Sequence, residues 1–170
     1  MKIIYIKIKN YKSIRELEIN DIENALILVG KNNTGKPSVI DALLLASDLK
    51  PAPTHEFLDI TKPIDISIQI EFTEEDLNYY YSRGILCKSN SFEKWFEEFK
   101  ERIPSYKDGI VSFTFHNNPN GTTRYNDGFN KHNPDIEKII PKIYHIDQTR
   151  NLEALQNDVF SFYDKESFQK

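Results

Sequence analysis

Gly30-Lys31-Asn32-Asn33-Thr34-Gly35-Lys36-Pro37-Ser38 follows the apolar run Ala25-Leu26-Ile27-Leu28-Val29 and leads into a segment where Val39, Ile40, Leu43, Leu44 and Ala46 recur at helical spacing. A buried strand, a glycine-rich turn and a helix start form the setting in which a G-x-x-x-x-G-K-[ST] pattern cradles phosphate. Gly30 and Gly35 allow backbone angles that other residues resist, so successive amides can face one concavity. The helix start adds unpaired N–H groups and the positive end of the helix dipole. Lys36 would bring a full positive charge to the terminal phosphates. The stretch from Gly30 to Ser38 is therefore expected to hold phosphate.

The position after the lysine departs from the pattern. A Ser or Thr hydroxyl there would ligate Mg²⁺, and this chain has Pro37. Proline supplies neither a hydroxyl nor an N–H. One hydrogen bond to a charged group is worth roughly 1.5–3 kcal/mol, enough to weaken binding about tenfold. Proline suits the first helical turn, so the fold is expected to survive. It also biases the preceding Lys36 toward extended angles, which would swing the ammonium away from the phosphates. The expectation is nucleotide binding that is weak and poor in Mg²⁺, with no confident metal ligand.

Working outward, Ile4, Ile6 and Ile8 alternate with Tyr5, Lys7 and Lys9, which reads as a half-exposed strand. A turn at residues 10–13 leads to a second alternation around Leu17 and Ile19. The continuous run at 25–29 suits a parallel strand buried on both faces. Residues 50–63 hold Pro51, Pro53 and Pro63 and read as a loop, and Ile64, Ile66, Ile68 and Ile70 alternate with polar residues as a further strand. Thr73 and Asp76 form a capping box for a short helix stopping near Gly84. Asn90 and Glu93 are expected to cap the next helix, whose Phe92, Trp95, Phe96, Phe99 and Ile103 read as core. Asn120-Gly121 marks a hairpin. Residues 134–140 suit one or two helical turns, 142–146 a strand, and the segment from Asn151 an amphipathic helix that reaches Lys170 with no stop signal.

Composition narrows the classes. The 170 residues are 12% aromatic and 28% charged, a globular mix, and no stretch approaches the roughly 18 apolar residues of a membrane helix. One cysteine, Cys87, allows no internal disulfide or cysteine zinc site, so a cytoplasmic location is expected. Net charge is −4, with a slightly basic first 50 residues and an acidic remainder, so the chain lacks the overall basic footprint of a nucleic-acid module. Lys7 and Lys9 share one wet strand face that could meet DNA or simply water.

The segments Ile8-Lys9-Asn10-Tyr11-Lys12-Ser13-Ile14 and GKNNTGKPSVIDAL together resemble the amino-terminal half of SMC/RecF-type ABC ATPase heads. Those open with a strand, an N-F-[RK]-S-[FI] turn, a second strand, then G-x-N-[GN]-x-G-K-S-S and a helix ending D-A-[IL]. The Asn-Asn variant is similar to OLD-family (overcoming lysogenization defect) and related AAA-like ATPases of defence and repair. The resemblance implies an α/β P-loop NTPase fold with a mixed sheet of the ABC/SMC-head type and an antiparallel β subdomain. It implies ATP or ADP as ligand, Mg²⁺ as companion ion, phosphate contacts from Asn32, Asn33, Thr34, Gly35, Lys36, Pro37 and Ser38 beside Gly30, and a nucleotide contact from Lys12, which also reads as an exposed turn lysine. Gln148, in Ile143-Tyr144-His145-Ile146-Asp147-Gln148-Thr149-Arg150, falls where the family places its catalytic Q-loop glutamine. It also reads as a capping or surface residue, and Arg150 is the alternative. Asp41 matches the family helix in a structural capacity.

Residues 1–150 are thus expected to form the amino-terminal lobe of such a head, with a helical insert at about 74–103, and 151–170 to begin a truncated helical arm. No apolar run ends in Asp-Glu, no LSGG-like signature occurs, and His55, His116, His132 and His145 have no catalytic spacing. A homodimer, a carboxy-terminal half or a partner subunit would complete the site, with DNA contact implied for the full-length protein. Two alternatives stand beside this one. A P-loop interaction module with a dead site would bind no nucleotide. A small P-loop kinase or GTPase is disfavoured because no acceptor or base-recognition motif follows the loop.

Overall fold

The computed structural model describes residues 1–29, 35–141 and 143. Five strands form one antiparallel sheet in the order β2-β1-β3-β4-β5: β1 (Lys2–Tyr11), β2 (Ile14–Ile19), β3 (Ile64–Glu71), β4 (Ile110–Asn117) and β5 (Thr123–Asn126). Helix α1 (Lys36–Asp48) follows β2, and α2 (Glu74–Ser82) and α3 (Phe92–Arg102) lie between β3 and β4. The short α4 (Ile136–Ile139) comes after β5.

Period-two patterning dictates the register. Ile8 faces Ile66 and Ile66 faces Phe115, while Ile6 faces Ile68 and Ile68 faces Phe113, so one sheet face is continuously apolar and buried. Its opposite face carries the rows Lys7, Ser67, Thr114 and Lys9, Asp65, His116. The helices take the apolar side. Val39, Ala42 and Ala46 of α1 are buried, as are Trp95 and Phe99 of α3. The aromatic stripe is core, as its spacing indicates, with Phe99 edge-on to Phe72 at 6.2 Å between ring centroids. The capping box of α2 is present: Thr73 Oγ1 accepts from the Asp76 amide, and the Asp76 carboxylate accepts from the Thr73 amide.

Three readings need correction. The N-cap of α3 is Ser91, whose hydroxyl accepts from the Lys94 amide, one residue beyond Asn90. Lys36 is the first residue of α1, so Pro37 does not keep it out of the helix. Residues 25–29 form no strand: Ile27 is 80% and Val29 90% exposed. The reason is topological. β1, β3 and β4 have both edges taken, and the open edges of β2 and β5 pair with no described strand. A parallel strand buried on both faces needs neighbours that the described residues do not supply. Of the strand expected at 142–146 only Ile143 is described, and the helix from Asn151 lies outside the described residues.

Candidate nucleotide site

Three pieces of chain meet at one corner: the β1–β2 turn, the start of α1 and the segment around Glu56. The turn is built on unusual backbone. Asn10 and Lys12 both have left-handed angles (φ 60° and 50°), which cost about 1 kcal/mol or more for a residue with a side chain. Surrounding bonds hold them there. The Lys12 amide donates to the Glu56 carbonyl at 2.6 Å, and the Leu58 amide donates to the Asn10 carbonyl at 3.3 Å. Asn10 is buried, and its Nδ2 donates to the carbonyls of Asp59 (2.9 Å), Lys62 (2.8 Å) and Pro63 (3.1 Å), while its Oδ1 accepts from the Asp59 amide at 2.7 Å. Sequence reading missed this clamp. The available signal was that asparagine tolerates the left-handed region better than most residues.

Gly35 is the N-cap of α1, with φ 81°, and a Cβ there would stand 3.2 Å from the Ser13 hydroxyl. The left-handed angle favours glycine, and any side chain would also make the Ser13 hydroxyl give way by a few tenths of an ångström. The start of α1 differs from those of α2 and α3. Thr73 with Glu74, Glu75 and Asp76 serves α2, and Ser91 with Glu93 serves α3, whereas α1 has no side-chain cap and no acid in its first turn. The positive end of its dipole is left uncompensated by those means, an arrangement that suits an anion. Lys36 is half-buried, Pro37 exposed and Ser38 buried. A triphosphate is compatible with this donor set. Mg²⁺ is not compatible with Pro37, which offers no side-chain oxygen, and no group of three or more His, Cys, Asp or Glu among the described residues is placed to hold a metal.

Lys12 lies beside α1. Its ammonium contacts the Asp41 carboxylate at 2.6 Å and that of Glu56 at 3.5 Å, and it stands 5.2 Å from the centre of the Tyr11 ring. Burial works against the charge on Lys12, but the hydrogen bond to Asp41 and the charges of Asp41 and Glu56 carry its pKa above the usual lysine value. Burial and the same Glu56 push the Tyr11 hydroxyl up to about 12, so it stays protonated and donates to Glu56 at 3.1 Å.

The structure thus brings Lys12, Gly35, Lys36, Pro37 and Ser38 to one corner. Gly30, Lys31, Asn32, Asn33, Thr34, Gln148 and Arg150 lie outside the described residues. Lys7 and Lys9 do not form a bare basic patch, because Lys7 pairs with Glu16 and Glu18, both at 2.9 Å, and Lys9 with Glu16 at 3.4 Å. No described helix is long and apolar enough to cross a membrane.

A family model described as AAA ATPase domain matches residues 1–170. No curated protein matches the chain. Among solved structures 14 chains match. One, described as structural biochemistry of ATP-driven dimerization and DNA-stimulated activation of SMC ATPases, is 17% identical, covers 74% of this chain and 68% of its own length, and has a TM-score of 0.43.

Proposed function

The chain belongs to the AAA ATPase domain family, and from that premise we propose that it is the nucleotide-binding lobe of a larger SMC/OLD-like ATPase, holding ATP or ADP at residues 30–38 and turning over little on its own. The observation that carries this reading is the glycine-led, uncapped start of α1 at the end of the Gly30–Lys36 pattern. When bound, ATP supplies a triphosphate anion. This chain's part is to receive it with main-chain amides and the Lys36 ammonium while the Asn10–Ser13 turn braces Gly35 from behind.

Low turnover is inferred from composition of the site. Pro37 removes the hydroxyl expected to hold Mg²⁺, and the sequence has no apolar run ending in Asp-Glu and no signature stretch. Gln148 is proposed as the water-positioning residue of the completed site. The lobe is taken as residues 1–150, with 151–170 the beginning of an arm. The exposed Ile27 and Val29 support a composite head, since they need covering that the described residues do not give. A homodimer mate, a carboxy-terminal half or a partner subunit would provide it. For the whole protein the family resemblance of residues 1–50 supports a role on DNA, in repair or anti-phage defence. Pro37 also favours a second reading, an interaction module whose site no longer takes nucleotide.

Thermal unfolding of the whole chain with ATP and with ADP separates the two. A ligand at a hundred times its Kd stabilises the state it binds by about 2.7 kcal/mol, so a binding lobe must show a raised midpoint. An unchanged midpoint at millimolar nucleotide would leave the interaction module.

A further inference from the structure

Lys12, on the turn beside the start of α1, is already engaged by the protein. Asp41 and Glu56 come from different elements, α1 and the segment between α1 and β3, and both carboxylates reach the Lys12 ammonium (2.6 and 3.5 Å). Asp41 stands four residues after Pro37, one helical turn along the same side of α1. A turn rises about 5.4 Å, so the pair sits close behind the helix start. The clasp is half-shielded from water, with the Lys12 side chain 30%, Asp41 36% and Glu56 18% exposed.

We infer that Asp41 and Glu56 form an autoinhibitory clasp on Lys12, which must release before that lysine can serve bound nucleotide. The inference rests on the nucleotide reading above. Two carboxylates beside the anion site act twice: they neutralise Lys12 and they repel an incoming triphosphate. The clasp thereby sets a threshold, and closure by a second lobe that drew the Asp41 and Glu56 side chains aside would lower it. The backbone of the turn need not move, because its bonds to Glu56 and Leu58 are made by main-chain groups.

The test is equilibrium titration of the whole chain with a fluorescent ATP analogue at low salt, for the wild type, Asp41→Asn, Glu56→Gln and each variant combined with Lys12→Ala. Partly exposed ion pairs are worth at most about 1 kcal/mol, so releasing the clasp should raise affinity about three- to fivefold. That gain should vanish in the Lys12→Ala background. A merely structural clasp would instead lower affinity along with the thermal midpoint. Glu56→Gln keeps an oxygen for the Tyr11 hydroxyl, and it answers the same question should Asp41→Asn fold poorly. Wild-type binding that either carboxylate variant leaves equal or weakens would overturn the clasp and leave the nucleotide reading intact. Absence of binding in the wild type and in both carboxylate variants would remove the nucleotide reading and the clasp together.

Discussion

Two residues carry opposite kinds of information. Pro37 is plain in the sequence as a missing hydroxyl, and its expected effect is on ligand binding. Pro37→Ser is expected to leave stability within about 0.5 kcal/mol, as for other exposed sites, and to strengthen ATP binding about tenfold only when Mg²⁺ is present. Titrations with and without the ion read both halves; equal gains in the two would show that the new hydroxyl serves something other than the metal. Asn10 belongs to the fold. Its amide nitrogen faces three carbonyls, so Asn10→Asp would bury a carboxylate against them. A loss of roughly 2–4 kcal/mol is expected in urea unfolding, larger than for an exposed turn asparagine. Asn10 looked in the sequence like one more turn residue, because its partners lie 49 to 53 positions away and no local pattern announces them. Lys12 shows the same limit: the N-Y-K-S turn was legible, its pairing with Asp41 was not.

At the scale of elements, β5 does more than close the sheet. The Tyr125 hydroxyl donates to the Ala46 carbonyl at 2.6 Å, and the Thr123 hydroxyl donates to that of Leu49 at 3.0 Å, so an edge strand satisfies the carbonyl end of α1. Burial raises the pKa of the Tyr125 hydroxyl above the ordinary tyrosine value, keeping it a donor across the accessible range. Tyr125→Phe is expected to cost about 1–2 kcal/mol by thermal unfolding, since the Ala46 carbonyl is left buried. The loop after β5 makes the pH prediction. Burial works against the Asp127 carboxylate, but the amides of Asn130 and Phe129 and the side chains of Asn133 and Asn130 outweigh it and hold its pKa below the usual aspartate value. A folded pKa below the unfolded one contributes stability that is complete above the unfolded value of about 3.9 and is lost as pH falls through the folded value. The chain should therefore lose stability below about pH 4, and Asp127→Asn should flatten that part of the profile. An unchanged acid limb would show that other carboxylates set it. The strands β1, β3 and β4, the Thr73 cap and the aromatic core were legible because alternation and helical spacing are local. The cap of α3 was misplaced by one residue because Asn90 and Ser91 are both good caps.

For the whole molecule the clearest departure is also the most informative. Residues 25–29 read as the most buried strand of the sequence, and Ile27 and Val29 are among its most exposed apolar side chains. Local composition records what a segment needs, whereas burial depends on what is there to cover it. Ile27→Lys with Val29→Asp is expected to change unfolding stability by less than about 1 kcal/mol, because neither side chain is buried. The same pair should reduce self-association in sedimentation velocity and abolish binding to any partner lobe that completes the sheet. A large stability loss would mean that the run packs within this chain after all.

The most direct measurement of the central claim is calorimetric titration of the chain with ATP, for the wild type and Lys36→Ala. The expected result is saturable binding at one site per chain, weakened at least tenfold by the substitution. Equal heats for the two proteins, or none for either, would contradict a triphosphate held at the start of α1.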